Sequence, residues 1–250
     1  MAVSIKSARE IELMREAGKR LAHVHQELEA MIAPGISTWE IDAKGEKLIR
    51  DCGCIPNFLH YNGYPASICV SVNDEVVHGI PRKDRYLKEG DIVSLDAGLI
   101  YKGYHSDAAR THAVGKVSTE AQKLMDVTKQ SFFEGIKMAK EGQLLHAISR
   151  AIEEYVTPYG YGIVRDLVGH GIGTALHEDP QIPNYAQKRR GVRLQAGMTL
   201  AIEPMINAGT WQVRFLRDGW TVVTKDGSLS AHYENTILVT DGEPEILTLY

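Results

Sequence analysis

Apolar residues at helical spacing open the chain. From Ile11 to Leu21 they recur every three or four positions behind SARE at 7–10, a capping box that marks the start of a helix. This pattern predicts a helix to about residue 31. A second capping box, STWE at 37–40, predicts a helix to about residue 52, where a glycine follows.

Strand-like patterns follow these two helices, and the same order of two helices followed by strands then occurs a second time. Three segments from residue 65 onward are typical of strands: SICVSV, DIVSLDAGLIY and HSDAARTHAV. Two further helices are predicted at about 118–140 and 144–157, and strand-like segments dominate from residue 162 to the end. The pattern predicts an α/β (α+β) fold.

The two copies of this order align at an offset of 107 residues, which pairs EGDIVSLDAG with AGMTLAIEPM and aligns Asp96 with Glu203. We therefore predict a single domain built from two related halves, about 1–115 and 116–250. If the halves pack about a pseudo-twofold axis, Asp96 and Glu203 come face to face at its centre.

Composition and charge argue against several classes of protein. The formal net charge of -4 at pH 7 gives no basic surface for a specific nucleic-acid partner. Three cysteines without CxxC spacing indicate reduced thiols in a cytoplasmic protein rather than a disulfide framework. The start of the chain lacks the apolar segment of a signal peptide, and no apolar run approaches the ~20 residues of a membrane span. We therefore expect no membrane partner.

An aspartate interrupts the apolar strand DIVSLDAGLIY. A buried charge at Asp96 needs a positive partner to offset the loss of hydration. If Lys102 and Gly103 form a two-residue hairpin turn, Asp107 pairs with Gly98 and projects beside Asp96 on the same face. A divalent cation between the carboxylates would remove their repulsion. Each aspartate by itself is also compatible with a surface turn.

The glycine-rich segment GHGIGTALHEDP supplies two imidazoles, His170 and His177. The glycines beside His170 let the backbone approach a ligand closely, and neutral imidazole is a common nitrogen ligand of transition metals. A histidine in such a turn is more often polar filler, and the segment lacks the residue order of a phosphate-binding loop. Beside the carboxylates, His170 becomes a candidate ligand.

Two more positions complete the set. Glu234 begins the β-branched strand ENTILVT, where a lone charge is equally typical of an edge strand, and His78 precedes a Gly-Ile-Pro turn that would hold it in a cleft. The candidate metal ligands are four carboxylates and one histidine: Asp96, Asp107, His170, Glu203 and Glu234. Such a set suits two neighbouring divalent ions, an arrangement that hydrolyses peptides and phosphate esters.

Five ordered blocks resemble the signature blocks of type I methionine aminopeptidases: VNDEVVHGIP, LDAGLIYKGYHSDAAR, GHGIGTALHEDP, AIEPM and HYENTILVT. The resemblance covers nearly the whole chain and implies the duplicated pita-bread fold, with two pseudo-twofold-related halves, a central antiparallel β-sheet and helices outside. It implies a catalytic domain that removes N-terminal methionine when the second residue is small and uncharged. The short segment between Glu203 and Glu234 leaves no room for the helical insertion of type II enzymes, which indicates a bacterial-type enzyme.

The resemblance also implies a role for each candidate residue. Two divalent cations (Co, Mn, Fe or Zn) would be held by the five ligands, with Asp96 and Glu234 bridging. His78 and His177 become substrate-facing: His177 meets the carbonyl oxygen and His78 the scissile nitrogen. Glu203 would be the catalytic base. The first substrate side chain is implied to lie in a pocket formed by six residues: Phe58, Tyr61, Tyr64, Cys69, Leu176 and Trp220.

Two pocket residues depart from the family pattern. Phe58 stands where many relatives have Cys, and Leu176 stands where many have Phe. These departures leave the metal ligands untouched and bear only on side-chain selectivity. The resemblance further implies a monomeric cytoplasmic enzyme that acts on the N-termini of nascent polypeptides, at the ribosome.

Two alternatives come from other classes. Proline-specific aminopeptidases and prolidases share this fold and ligand set, but they usually carry a substantial extra N-terminal domain, for which the residues before the first strands leave no space. A pita-bread protein that has lost its metals would be a non-enzymatic binding module. Retention of all five ligands and both histidines argues against that alternative.

Overall fold

The structure is a computed structural model that describes residues 3–249. Within this range lie four α-helices: α1 (Ala8–Glu29), α2 (Thr38–Asp51), α3 (Thr119–Ile136) and α4 (His146–Val156). Both predicted capping boxes form, with Ser7 and Ser37 at the helix starts and the Glu10 and Glu40 side chains reaching back to them. The first two helices are confirmed to within two residues at each end, whereas α3 and α4 are shorter than predicted.

Fifteen strands lie within the same range, many of them short. They are β1 (Ile55–Pro56), β2 (Ile68–Val72), β3 (Glu75–Val77), β4 (Ile92–Tyr101), β5 (Tyr104–Ala113), β6 (Gly162–Ile163), β7 (Gly169–Gly171), β8 (Glu178–Ile182), β9 (Thr199–Ile202), β10 (Met205–Asn207), β11 (Val213–Phe215), β12 (Val222–Thr224), β13 (Ser230–His232), β14 (Glu234–Leu238) and β15 (Glu245–Ile246). The main sheet has the order β1-β4-β5-β14-β9-β7-β8, with β2 on β4 and β15 on β14. Its strand pairs are antiparallel.

The hairpin of β4 and β5 has the predicted turn and register. Lys102 (φ 48°) and Gly103 (φ 86°) both adopt the left-handed conformation that a two-residue hairpin of this kind requires. Ten residue pairs then follow without a break, and Gly98 lies opposite Asp107 as the sequence indicated. The unbroken pairing fixes which side chains of both strands share a face.

The centre of the main sheet is the pair β5 and β14, with β4 on one side and β9 on the other. Two backbone contacts recur at the offset of 107 residues found in the sequence. The isolated β-bridge Ser37–Tyr86 corresponds to the bridge Leu144–Arg193. The hydrogen bond from the Gly35 N–H to the Leu87 carbonyl corresponds to that from the Gly142 N–H to the Leu194 carbonyl. The equivalent placement of β4 and β9, together with these recurring contacts, supports two related halves.

Each pair of helices covers its own part of the sheet. Apolar residues of α1 and α2 pack against β2, β4 and β5, and those of α3 and α4 pack against β9, β10 and β14. The predicted α/β organisation, a central antiparallel sheet with helices outside, is confirmed. Among residues 3–249, no helix combines the length and apolar composition that crossing a bilayer requires.

Candidate active site

Strand register brings three of the predicted metal ligands to one face of the sheet. Asp96 on β4 and Glu234 on β14 both pair with Ala109 of the intervening β5, so the two carboxylates lie on the same face as Ala109. Asp107 lies two residues before Ala109 and therefore shares that face. The alternate residues of β4 point the other way, into the core with α1 and α2.

The second half of the chain brings His170 and Glu203 to the same face. His170 on β7 and Thr236 on β14 both pair with Ala201 of β9. Thr236 lies two residues after Glu234, and Glu203 lies two residues after Ala201, just beyond the end of β9. The five predicted ligands therefore meet at the centre of the sheet.

The side chains approach one another closely enough to share cations. His170 Nε2 lies 3.6 Å from Glu203 Oε1 and 4.0 Å from Asp107 Oδ2. One potential ligand atom from each of Asp107, His170 and Glu234 lies within 4.8 Å of the others. Asp96 and Asp107 lie diagonally across the β4–β5 ladder, and the Asp96 carboxylate raises the pKa of Asp107. Asp107 therefore lies beside Asp96 and also approaches His170.

Burial makes these carboxyl groups hard to ionise. It raises the pKa of Asp96 to about 7. Burial and the neighbouring carboxylates raise the pKa of Asp107, Glu203 and Glu234 well above their usual range. Burial also lowers the pKa of His170 to about 4, so its imidazole is neutral and able to bind a metal.

The unpaired oxygens of this cluster fit divalent cations. Asp96 Oδ1, Asp107 Oδ1 and Glu234 Oε1 are buried and have no hydrogen-bond partner among residues 3–249. Leaving buried polar atoms unpaired is costly, and bound cations would satisfy these oxygens while stabilising the ionised carboxylates. Four carboxylates with one neutral imidazole form a donor set that suits Mn, Fe, Co and Zn.

We expect the metal-free protein to lose stability as the pH rises above about 7. The unfolded chain has by then ionised all four carboxyls, whereas in the folded protein burial raises the pKa of Asp96 to about 7 and burial with the neighbouring charges raises the pKa of Asp107, Glu203 and Glu234 well above their usual range. The folded state thus binds more protons than the unfolded chain. For each additional bound proton, the free energy of unfolding falls by up to about 1.4 kcal/mol per pH unit. Buried histidines such as His170 do not oppose this trend, since their lowered pKa leaves them neutral in both states.

Calorimetry of the chelator-treated protein between about pH 7 and about pH 9 measures this dependence. The same series with a saturating divalent cation is the control. It should be flatter, because the cation stabilises the ionised carboxylates in the folded state. Equal slopes with and without the cation would show that these carboxyls do not bind it.

His78 and His177 lie beside the ligands. His78 has a left-handed backbone (φ 58°), which is uncommon for a residue other than glycine, directly after β3 and before Gly79. Burial lowers the pKa of His78 to about 4 and lowers the pKa of His177. The His177 ring lies 4.3 Å from the His170 ring between centroids, and its Nδ1 lies 2.8 Å from the Tyr61 hydroxyl. Both imidazoles are therefore neutral and available to a substrate.

One cavity of about 250 Å³ joins the candidate ligands, the two histidines and the pocket residues that the family resemblance implies around the first substrate side chain. Its lining is Phe58, Tyr61, Asn62, Tyr64, Cys69, His78, Asp96, Asp107, His170, Leu176, His177, Glu203, Trp220 and Glu234. Every site residue expected from the sequence lines this cavity, and Asn62 is an addition. The structure thus brings the whole expected set together.

The apolar end of the cavity is packed by aromatic rings. Tyr64 and Trp220 meet edge to face with centroids 5.1 Å apart, and Phe58 and Leu176 are buried in the same apolar cluster. A Cβ at Gly98 would lie 2.7 Å from Asn57 Nδ2 and 3.1 Å from the Phe58 ring, so the glycine leaves room for both side chains. The two departures from the family pattern are therefore part of one packed wall.

His232 is a neighbour of the site that the sequence analysis missed. Its Nε2 lies 3.7 Å from Glu203 Oε2, and neither ring nitrogen has a hydrogen-bond partner among the described residues. Burial lowers the pKa of His232 to about 3. The sequence feature that could have identified His232 is its position two residues before Glu234 in AHYEN. The other addition, Asn62, has a left-handed backbone (φ 49°), and nothing in the sequence pattern distinguishes it.

Comparison with known proteins gives similarities over the whole chain. A model of metallopeptidase family M24 matches residues 12–241. The methionine aminopeptidase of Clostridium acetobutylicum is 53% identical over 247 residues, which are 99% of this chain and 99% of that protein. Methionine aminopeptidase 1 of Bacillus subtilis is 51% identical over 243 residues, which are 97% of this chain and 98% of that protein.

Solved structures show the same similarity in three dimensions. The crystal structure of methionine aminopeptidase from Thermotoga maritima matches with a TM-score of 0.97 and 46% identity, covering 100% of both chains. Xaa-Pro dipeptidase from Bacillus anthracis matches with a TM-score of 0.78 and 26% identity, covering 98% of this chain and 61% of that one. These matches confirm the expected pita-bread fold.

Proposed function

We propose that this chain, which belongs to metallopeptidase family M24, removes the N-terminal methionine from proteins and peptides. It is a metal-dependent aminopeptidase that hydrolyses the first peptide bond. The observation that carries the proposal is the cavity in which the five candidate ligands, two neutral histidines and an apolar pocket meet.

The five buried side chains would hold two divalent cations: Asp96, Asp107, His170, Glu203 and Glu234. Asp107 would contribute at the middle of this set, because its Oδ2 lies 4.0 Å from His170 Nε2 and the neighbouring Asp96 and Glu203 carboxylates raise its pKa. When bound, such ions activate a water molecule as nucleophile and polarise the scissile carbonyl.

The neighbouring side chains supply the proton transfers and hydrogen bonds. Glu203 accepts a proton from the attacking water on its carboxylate and delivers it to the nitrogen of the leaving amine. His177 donates from Nε2 to the carbonyl oxygen as negative charge develops there. His78, held by its left-handed backbone, contacts the scissile nitrogen. Each role is supported by the position of the residue on the cavity wall.

The apolar end of the cavity receives the first side chain of the substrate. Phe58, Tyr64, Cys69 and Leu176 belong to one apolar cluster, and Trp220 packs against it. Aromatic edges and a thiol suit the flexible, polarisable thioether of methionine. The second residue lies towards the crowded ligand centre, so a small uncharged side chain is preferred there.

Release of the first residue from three peptides tests this specificity. We expect rapid release from Met-Ala-Ser, slower release of leucine from Leu-Ala-Ser and little release from Met-Lys-Ser. A pocket distinguishes two substrates with different apolar side chains by a transition-state free energy of only about 1–3 kcal/mol. We therefore expect leucine to be released more slowly than methionine but at a measurable rate. Mass spectrometry of the products gives all three rates. Equal rates on the three peptides would contradict the proposal, and preferential cleavage of Xaa-Pro peptides would favour a proline-specific enzyme.

The cellular setting is the last part of the proposal. The substrates are the N-termini of nascent polypeptides, which the protein binds at the ribosome as a monomeric cytoplasmic enzyme. The three free cysteines support a reducing compartment. The contacts that recur at an offset of 107 residues support one catalytic domain with halves at about 1–115 and 116–250. Sedimentation of the purified protein alone and with ribosomes tests the monomer and the ribosome contact.

A further inference from the structure

The hydroxyl of Tyr61 contacts His177 directly. Its oxygen lies 2.8 Å from His177 Nδ1, and the two rings lie 5.5 Å apart between centroids at an interplanar angle of 41°. Both side chains line the cavity. Tyr61 therefore does more than form part of the pocket wall, because it touches a ring nitrogen of the histidine placed at the substrate carbonyl.

The hydrogen bond at Nδ1 decides what Nε2 of His177 can do. A neutral imidazole carries one N–H, on either Nδ1 or Nε2. If the Tyr61 O–H donates to Nδ1, the imidazole proton is on Nε2, which can then donate to a carbonyl oxygen. If Nδ1 donates to the tyrosine oxygen instead, Nε2 presents a lone pair that repels a developing oxyanion.

The backbone around Tyr61 holds its hydroxyl in place. Tyr61 lies between His60 (φ 68°) and Asn62 (φ 49°), two non-glycine residues in the left-handed conformation. The turn is closed by hydrogen bonds from the N–H of Tyr61 to the carbonyl of Phe58 and from the N–H of Tyr64 to the carbonyl of Tyr61, both 2.9 Å. Histidine and asparagine are among the non-glycine residues that adopt this conformation most readily, so the two positions form a tight turn that fixes the backbone on both sides of Tyr61.

We infer that Tyr61 is a positioning residue, whose O–H donates to His177 Nδ1 and so fixes the tautomer that directs Nε2–H at the substrate carbonyl. The inference rests on the proposed role of His177 and gives Tyr61 a task beyond the pocket wall. The hydroxyl of the second pocket tyrosine is used differently, since Tyr64 donates to the backbone carbonyl of Gly79 at 2.9 Å.

Tyr61→Phe separates a positioning role from a purely structural one. Phenylalanine keeps the ring, so KM for Met-Ala-Ser should stay within about twofold of the wild-type value. Loss of the hydroxyl removes control of the tautomer, so kcat should fall about two- to tenfold, the usual contribution of one hydrogen bond. Tyr104→Phe is the matched control, because Tyr104 packs on the same apolar cluster as Tyr61 but does not line the cavity, and its hydroxyl donates to Glu10 Oε1 at 2.9 Å.

Nitrogen-15 NMR of the zinc-loaded full chain, labelled at histidine, reads the tautomer independently of activity. The His177 signals are assigned by their loss in His177→Gln. In the wild type we expect a protonated Nε2 and an unprotonated Nδ1. Tyr61→Phe should shift both signals towards the average of two tautomers, and Tyr104→Phe should leave them unchanged.

The outcomes separate this inference from the proposed function. A wild-type His177 protonated at Nδ1, or a Tyr61→Phe variant with unchanged His177 signals, overturns the inference whatever the activity. A tautomer that shifts in Tyr61→Phe supports it. If that shift occurs while His177→Ala retains full kcat, the tyrosine still fixes the imidazole, and the catalytic role of His177 is what fails.

Discussion

Replacing Asp96 with alanine is expected to remove bound metal and nearly all methionine release while leaving the chain folded. Asp96 supplies one of the buried carboxyls of the cluster, and its Oδ1 has no hydrogen-bond partner among the described residues. Without the metal there is no activated nucleophile. The fold should persist, because the raised pKa values of Asp107, Glu203 and Glu234 let these groups take up protons in place of the cations.

Metal content by mass spectrometry, methionine release and circular dichroism together test the Asp96→Ala variant. Asp84→Ala is the control, since Asp84 is exposed and paired with Arg82 at 2.7 Å, away from the cavity. It should keep both metal and turnover. Full turnover in Asp96→Ala would rule out the assignment of Asp96 as a ligand, whereas an unfolded variant would show that the remaining carboxyls do not protonate as argued.

Replacing His177 with alanine is expected to lower kcat by about 10²- to 10³-fold with metal retained, the scale observed when one oxyanion donor is lost. His177 lies on the cavity wall, and its Nδ1 already contacts Tyr61, which leaves Nε2 for the substrate. Because Nδ1 of His177 is engaged by Tyr61 and its Nε2 is assigned to the substrate, its loss should not release the cations.

Measuring kcat per bound metal distinguishes the two possible roles of His177. If His177→Ala loses metal while the remaining metal-bound fraction turns over normally, His177 is a ligand and not an oxyanion donor. His23→Ala gives a control for histidine loss as such, because His23 lies on α1 away from the cavity lining. That variant should resemble the wild type in both metal content and kcat.

Much of the main sheet could be predicted from local sequence. The Lys102-Gly103 turn determines the register of β4 and β5, and with it the place of Asp107 beside Asp96. The capping boxes mark the starts of α1 and α2 because the bonds they form lie within one helical turn. In each case the residues that decide the structure are close in sequence.

The pairing across the centre of the sheet lies beyond local pattern. Thr236 Oγ1 accepts a hydrogen bond from the N–H of Asp107 at 3.0 Å and donates to its carbonyl at 2.9 Å, which ties β14 to β5 across a long stretch of chain. The offset of 107 residues indicated that Asp96 and Glu203 are equivalent positions. It did not indicate that Glu234 or His232 lies beside them. Side-chain contacts such as Tyr61 with His177 depend on turns whose geometry the sequence pattern does not reveal.

Anaerobic metal titration of the chelator-treated protein tests the central claim most directly. Fe(II), Mn(II), Co(II) and Zn(II) are added separately, and bound metal and methionine released from Met-Ala-Ser are measured on the same samples. We predict no release without metal, release that rises with bound metal up to about two ions per chain, and neither binding nor release in Asp96→Ala. Methionine release by the metal-free protein at the full rate, or saturation with each of the four metals without any release, would contradict the account.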